Sequence, residues 1–210
     1  MPFGTLKIVQ AGDPVLRLRA RLVTREEIRS REMQQLIEWM RETMRDAPGV
    51  GLAAPQVGLS VQLAVIEDRP ELFASLPPER VAERQRRTVP FQVLFNPCID
   101  SAAGQAEFFE GCLSLAGFSA MVPRPLKVGV SCLDHRGEPL TFQAEGWHAR
   151  IVQHEMDHLN GTLYVDRMRP GSLTTMENLN RYWNDVPVGE VLARLPNRDG
   201  VDEPKETGSG

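Results

Sequence analysis

A short motif, QHEMDH at residues 153–158, constrains this chain more than any other feature. On a helix, positions i and i+4 face the same way, so His154 and His158 can bind one metal ion. Glu155 lies off that face but within reach of a water bound to the ion. A metal lowers the pKa of such a water from about 16 to about 7, and a carboxylate can accept its proton. The motif therefore predicts metal-assisted hydrolysis.

The residues before the motif favour a partly buried helix over two surface histidines. Trp147 and Ile151 precede His154 and His158 at helical spacing, so the histidines extend an apolar stripe. The sequence therefore predicts a helix from about residue 146 to residue 159.

Two histidines leave a tetrahedral metal site one protein ligand short. Tyr164 stands where the extended metzincin motif requires a third histidine, which excludes that family. Glu177 could complete a His2Glu site, and the chain would then be an HExxH metallopeptidase. The other candidate is Cys112, in the sequence EGCLS at residues 110–114.

The neighbours of these two candidates favour Cys112. Gly111 allows close backbone approach, and a thiolate in a tight polar turn is a good ligand. Glu177 stands near the start of a short predicted helix, where a glutamate is usually a solvated first-turn charge. Cys98 and Cys132 are interpreted as small buried hydrophobic residues. With one of three cysteines assigned to the metal, no disulfide framework is expected.

A glycine-rich stretch, GVGLAAPQVG at residues 49–58, superficially matches a dinucleotide-binding fingerprint. That fingerprint follows a strand and opens a helix, whereas here a helical segment precedes it and Pro55 would interrupt a helix. A loop is the better interpretation, with glycines such as Gly51 allowing a peptide backbone to lie alongside. Gln56 then supplies an amide donor suited to an oxyanion.

In order and spacing, three segments resemble the motifs of the peptide deformylases, GxGxAAxQ, EGCxS and QHExDH. They are residues 49–56, 110–114 and 153–158, and the resemblance runs from about residue 8 to residue 168. The sequence LAGF at residues 115–118 departs from the commonest bacterial form and looks closer to the organellar-like, bacterial type 1 branch.

The resemblance implies a metal centre and a reaction. Cys112, His154 and His158 would bind the metal, which in the family is Fe²⁺, although Zn²⁺, Ni²⁺ or Co²⁺ can occupy such a site. Glu155 would act as general base and then as general acid. The implied reaction is hydrolysis of the N-terminal formyl group of formyl-methionyl nascent peptides, which releases formate.

The same resemblance implies an oxyanion site and a substrate pocket. Gln56 and the backbone N–H of Leu113 would hold the oxyanion. A methionine side chain needs an apolar slot, which Val50, Trp147 and Ile151 are placed to line. A non-catalytic deformylase-like binding protein is a further alternative, but the intact general base argues against it.

Composition excludes several partners and agrees with one folded domain. A net charge of −4 gives no general attraction to nucleic acid or membrane. The apolar runs are too short to span a bilayer and residues 1–5 lack a signal-peptide pattern, so the predicted location is the cytoplasm. An enzyme of nascent chains would still meet them near the ribosome, through transient contact. Arg84, Arg86 and Arg87 are interpreted as a solvated face rather than an RNA contact.

The expected fold is α+β, with antiparallel sheets around the metal-binding helix in a single catalytic domain at residues 1–196. A helix over residues 24–46 is predicted to begin with a capping box of Thr24 and Glu27. Residues 69–90 read as a surface loop and residues 197–210 as a disordered polar tail. Four strands are predicted, at residues 63–66, 92–95, 126–133 and 140–144, the last two as a hairpin.

Overall fold

The computed structural model describes residues 4–195, so the predicted tail at residues 197–210 lies outside the described residues. In that part of the chain the helices are α1 (Arg25–Arg29), α2 (Arg31–Asp46), α3 (Pro78–Glu83), α4 (Gly146–Leu159), α5 (Met176–Tyr182) and α6 (Val188–Arg194). The strands are β1 (Gly51–Ala53), β2 (Leu63–Asp68), β3 (Val89–Ala103), β4 (Ala106–Cys112), β5 (Leu115–Arg124), β6 (Lys127–Leu133), β7 (Pro139–Glu145) and β8 (Thr174–Thr175).

The strands form two antiparallel sheets. The larger sheet has the order β1-β2-β3-β6-β7 and the smaller one the order β4-β5-β8. Helix α4 buries Ala149, Ile151 and Val152 against the larger sheet, in one core cluster with Ile66 and Leu94. Its polar side contacts β4 and β5 of the smaller sheet. The predicted α+β fold, with antiparallel sheets around the metal-binding helix, is confirmed.

The helix predicted over residues 24–46 is two helices, broken at Ser30. Its capping box is present, since Thr24 accepts from the N–H of Glu27 while Glu27 accepts from the N–H of Thr24. Ser30 has extended backbone dihedrals, and its hydroxyl accepts from the N–H of Met33 and donates to the carbonyl of Glu27. This serine therefore caps α2 instead of continuing α1, because its hydroxyl competes for backbone partners. The predicted end at Asp46 is confirmed.

The prediction of a plain surface loop over residues 69–90 is wrong. The segment contains a 3-10 turn, α3 and the first two residues of β3. Arg86 is not solvated, because it binds both carboxylate oxygens of the fully buried Asp68 at 2.8 Å. The last helix also packs here: Glu83 accepts from the N–H of Val188 at the start of α6.

The strand predictions are partly confirmed. All four predicted strands are present, as parts of β2, β3, β6 and β7, and the hairpin joins β6 to β7. Strand β3 is much longer than predicted, and the smaller sheet was not predicted as a sheet. Cys98 is exposed rather than buried, which corrects its interpretation, whereas Cys132 is buried as predicted. Within the described residues, no helix combines the length and apolar character that crossing a bilayer requires.

Candidate active site

Helix α4 spans Gly146–Leu159, as predicted, and carries both histidines with the intervening glutamate. Cys112 ends β4 and lies beside the helix. The ligand atoms of Cys112, His154 and His158 lie within 4.8 Å of one another. The Sγ atom of Cys112 is 3.2 Å from Nε2 of His158. Bonds of about 2.0–2.3 Å to a shared ion need ligand atoms at this kind of spacing, so the donor set fits a metal.

The carboxylate of Glu110 supports this site from behind. Arg124 binds both of its oxygens, at 2.6 and 2.9 Å, and Arg150 donates to Oε1 at 2.6 Å. Nδ1 of His154 lies 3.0 Å from Oε2. Although burial opposes it, Arg124 and His154 hold the pKa of Glu110 well below its usual value. A charged Glu110 on Nδ1 leaves Nε2 of His154 for the metal, which is the usual support of a histidine ligand.

Asp157 extends this group of buried charges. Arg124 donates to it at 2.9 Å, and Arg167 binds both of its oxygens at 2.8 Å. We call the whole set the charge network, and its members are Glu110, Arg124, Arg150, Asp157 and Arg167. All except Arg167 are buried. Unpaired buried charges are very costly, so the network holds α4 and the smaller sheet in one relative position.

The charge network was not predicted from the sequence, although the positions of two of its carboxylates could have indicated it. Glu110 stands two residues before Cys112 on a strand, and Asp157 three residues after His154 on a helix. Both spacings place the carboxylate on the same face of its strand or helix as the metal ligand. Arg124 left no such signal, because only the pairing of β4 with β5 brings it to Glu110.

Burial and neighbouring groups shift the pKa values of the residues on α4. Burial raises the pKa of Glu155 to about 7. It also lowers the pKa of His158 well below its ordinary value, and the nearby His154 adds to that effect. At His154 itself burial is outweighed by contacts with Cys112 and Glu110, which raise the pKa well above its ordinary value. A carboxylate with a pKa near neutrality is suited to accept and return a proton.

Gly51 makes room for the carboxylate of Glu155. A Cβ atom at residue 51 would lie 2.2 Å from Oε1 and 2.6 Å from Cδ of Glu155, so the carboxylate of Glu155 would have to move. The other carboxylate oxygen, Oε2, is buried and has no hydrogen-bond partner among residues 4–195. Such an atom is expected to serve a ligand, a water or a reacting group.

Gln56 is oriented by the backbone. Its Oε1 accepts from the N–H of Ala53 at 2.8 Å, a bond that only the amide oxygen can make. Nε2 therefore points the other way, 3.5 Å from Sγ of Cys112 and 3.3 Å from Oγ of Ser114. Leu113 lines the same cavity, and its carbonyl accepts from Gln10. The predicted oxyanion donor thus stands next to the metal ligands.

A cavity of about 470 Å³ opens in front of the ligands, a size usual for a ligand site. Phe118 and Met176, each 41% exposed, stand in its wall and give it an apolar mouth. The wall also contains all four residues predicted to contact the substrate, which are Val50, Gly51, Trp147 and Ile151.

The rival third ligand is not part of this arrangement. Glu177 is exposed in the first turn of α5, and it does not belong to the ligand cluster found in residues 4–195. Tyr164, which excluded the metzincins, is buried, and its ring stacks on His154 with centroids 6.2 Å apart. The glycine-rich stretch is not only a loop, since it forms β1 and a 3-10 helix that starts at Ala54.

The site combines a helix with H-E-x-x-H, a cysteine beside it and an oriented amide at a cavity. This combination places the protein among the metallohydrolases. Comparison with known proteins identifies the family within that class. The sequence profile of the polypeptide deformylase family matches residues 5–173, and the chain belongs to this enzyme family.

Its relatives are organellar and bacterial. Peptide deformylase 1A, chloroplastic, from Solanum lycopersicum is 47% identical over 189 residues, which are 90% of this chain and 66% of that protein. Peptide deformylase 3 from Streptomyces avermitilis is 46% identical over 193 residues, which are 91% of this chain and 84% of that protein. A Met-Ala-Ser-bound crystal structure of a class I type b peptide deformylase from Acinetobacter baumannii matches with TM-score 0.71 and 34% identity, over 79% of this chain and 99% of that chain.

Proposed function

We propose that this chain is a metal-dependent peptide deformylase, which hydrolyses the formyl group of formyl-methionyl nascent peptides and releases formate. The observation that carries the proposal is the buried, unpartnered Oε2 of Glu155 beside the cluster of Cys112, His154 and His158. A proton acceptor next to three ligands of one ion is the arrangement that hydrolysis of an amide needs.

Cys112, His154 and His158 would hold the metal, with Fe²⁺ as the proposed ion and Zn²⁺, Ni²⁺ or Co²⁺ as substitutes. When bound, a divalent metal supplies the Lewis acidity that lowers the pKa of a water to near 7. One thiolate and two imidazoles suit all of these ions, so the ligands alone do not choose among them.

The residues around the metal position would perform the proton and charge steps. Glu155 accepts the proton of the attacking water and returns it to the amine that leaves. Nε2 of Gln56, fixed by the backbone of Ala53, donates to the oxyanion together with the N–H of Leu113. Three hydrogen bonds hold Glu110 and thereby His154 before the reaction starts, so little reorganisation is needed.

The substrate would lie along the edge of the larger sheet. Strand β1 is the terminal strand of that sheet, and residues 48–51 border the cavity. An extended peptide can add to such an edge through backbone hydrogen bonds. The first side chain then enters the slot bordered by Val50, Trp147 and Ile151.

Formate release from formyl-Met-Ala-Ser, measured on protein purified without oxygen and analysed for metal, tests this function. Cys112→Ser should lose metal and activity together, because a neutral hydroxyl is a much poorer ligand than a thiolate. Glu177→Ala, the matched control, should keep both. Metal loss in Glu177→Ala but not in Cys112→Ser would favour the metallopeptidase, and a fully metallated protein without formate release would favour the non-catalytic relative.

We also propose a cytoplasmic location and only transient ribosome contact. From residue 188 to residue 210 the sequence has five acidic and three basic residues, so the charge of this segment is 3 − 5 = −2. Acidic segments are repelled by RNA. Deleting residues 197–210 should leave deformylation and ribosome association unchanged. Ribosome co-sedimentation at low salt that disappears on this deletion would contradict the proposal.

A further inference from the structure

Arg150 is a buried arginine in the wall of the substrate cavity with hydrogen-bond donors to spare. A guanidinium has five N–H donors. Nη1 donates to Glu110 and to the carbonyl of Val122, and Nη2 donates to the carbonyl of Ala106. Among residues 4–195, Nε and the second N–H of Nη2 have no hydrogen-bond partner. Nε of Arg84 is buried without a hydrogen-bond partner. Nε of Arg150, in contrast, is not fully buried, so it borders accessible space.

The position of Arg150 on α4 matches the reach of a methionine side chain. It precedes His154 by one helical turn, and four residues rise by about 6 Å along a helix. The five bonds from the formyl carbon to the sulfur of an extended methionine span roughly the same length. A formyl group at the metal position, with its side chain running along α4 toward the N-terminus of the helix, would bring the sulfur near the level of Arg150 and Ile151.

Two aromatic rings hold the guanidinium at this place. Its carbon lies 5.1 Å from the ring centroid of Phe108 and 5.9 Å from that of Trp147. Cation–π contacts at such distances restrain an arginine. The wall of the slot is therefore not purely apolar, because it contains a fixed positive group with unpaired donors.

We propose that Arg150 determines specificity for the first side chain by donating to an acceptor at its sulfur position, so that N-formylmethionine sulfoxide peptides are also substrates. This inference rests on the proposed function. The reaction is unchanged: water adds to the formyl carbon, the C–N bond breaks, and formate and the free amine leave with the sulfoxide intact. A thioether sulfur is a weak hydrogen-bond acceptor, and a sulfoxide oxygen is a strong one. The methylene that norleucine has at this position cannot accept a hydrogen bond.

The test compares kcat/KM for three tripeptides, formyl-Met-Ala-Ser, its sulfoxide and its norleucine analogue, with the two sulfoxide epimers assayed separately. For at least one epimer we expect kcat/KM within about tenfold of the methionine peptide, and above the norleucine peptide. Arg150→Met should lower the sulfoxide-to-methionine ratio by about tenfold or more, since a hydrogen bond from a charged donor is lost. Arg167→Met is the control, because Arg167 belongs to the charge network but does not line the cavity, and its ratio should stay unchanged.

Two results would overturn the inference. One is a wild-type ratio below about one tenth for both epimers, and the other is an unchanged ratio in Arg150→Met. If Arg150→Met does not fold, calorimetric binding of the product peptides to the wild type decides. The Met-sulfoxide product should bind at least about threefold more tightly than the norleucine product, and equal affinities contradict the inference. Absence of turnover with formyl-Met-Ala-Ser would instead contradict the proposed function.

Discussion

The two halves of α4 face the same cavity but are held by different interactions. In the C-terminal half, residues 154–158, His154 and Asp157 are fixed by directional hydrogen bonds to charged partners. Nδ1 of His154 lies 3.0 Å from Glu110, and Asp157 accepts from Arg124 at 2.9 Å. This half carries the metal ligands.

In the N-terminal half, residues 146–149, the helix is fixed mainly by close packing, and Arg150 of the charge network follows this half. Gly146 has φ +58°, and a Cβ there would lie 2.5 Å from Cβ of Gln85. The guanidinium of Arg84 lies 5.1 Å from the ring centroid of Trp147. The residues after α3 thus cover the start of α4 by close approach. Metal ligands need angular precision, which charge pairs supply, whereas a slot wall needs only to be closed and packed.

The largest effect is expected at the reacting group of the C-terminal half. Glu155→Gln should keep the metal but lower turnover by about 10²–10⁴-fold, because the ligands survive while the proton acceptor does not. Formate release and metal content measure both properties. Glu145→Gln, at the other end of the helix, is the control and should stay close to wild type. If Glu155→Gln kept turnover within a few-fold of wild type, the assignment of Glu155 as the general base would be wrong.

The next effect tests the charge network. Glu110→Gln leaves Arg150 buried without its carboxylate and Arg124 with Asp157 alone, which should lower the free energy of unfolding by about 3–5 kcal/mol. Metal affinity should also fall by about 10–100-fold, because the partner of His154 loses its charge. Denaturant titration and chelator competition measure the two quantities. Glu138→Gln, which breaks the exposed pair with Arg29, should cost under about 1 kcal/mol. Equal costs at the two sites would show that the buried charge network stabilises the fold no more than an exposed ion pair.

Gly146→Ala tests whether close approach holds the N-terminal half. The new Cβ would meet Gln85, and the left-handed backbone would be strained, so stability should fall by about 1–3 kcal/mol. Because Trp147 moves with this residue, KM for formyl-Met-Ala-Ser should rise while metal affinity changes little. Gly137→Ala carries only the backbone strain, since its nearest neighbour would be 3.5 Å away. If the Gly146 variant lost metal rather than substrate affinity, the two halves would not be independent.

Local spacing explains what the sequence could predict. The limits of α4 and the capping box at Thr24 depend on short segments with strong preferences. The approach of Cys112 to His154 and His158 is non-local, and its prediction depended on the residues around Cys112 and on the family resemblance. The break at Ser30 was within reach too, because a serine that caps the next helix is a known competitor of helix continuation.

Non-local pairing explains what the sequence could not predict. Arg124 reaches Glu110 only because β4 pairs with β5, and no spacing along the chain encodes that distance. The error at residues 69–90 has a similar cause. A stretch rich in arginine and proline suggests a solvated loop, but Arg86 pairs with the buried Asp68, which ends β2. A charged residue is predicted to be solvated unless the fold gives it a buried partner of opposite charge, and the sequence alone does not show that partner.

The smallest effect is expected for the stacking of Arg84 on Trp147. Burial lowers the pKa of Arg84, and its Nε is sealed without a partner among the described residues. Arg84→Met would lose a cation–π contact of about 0.5–2 kcal/mol but would also remove an unsatisfied buried donor, which costs about 1–3 kcal/mol. The two terms oppose each other, so stability should change by less than about 1 kcal/mol in either direction. Arg86→Met is the comparison, since Arg86 also lies 5.4 Å from the ring centroid of Trp147 but in addition pairs with the buried Asp68. Leaving Asp68 unpaired should cost about 3–5 kcal/mol. Denaturant unfolding measures the free energy of unfolding of both variants. A large loss of stability in Arg84→Met would show that stacking fixes the N-terminal half of α4, as the charge pairs fix the C-terminal half.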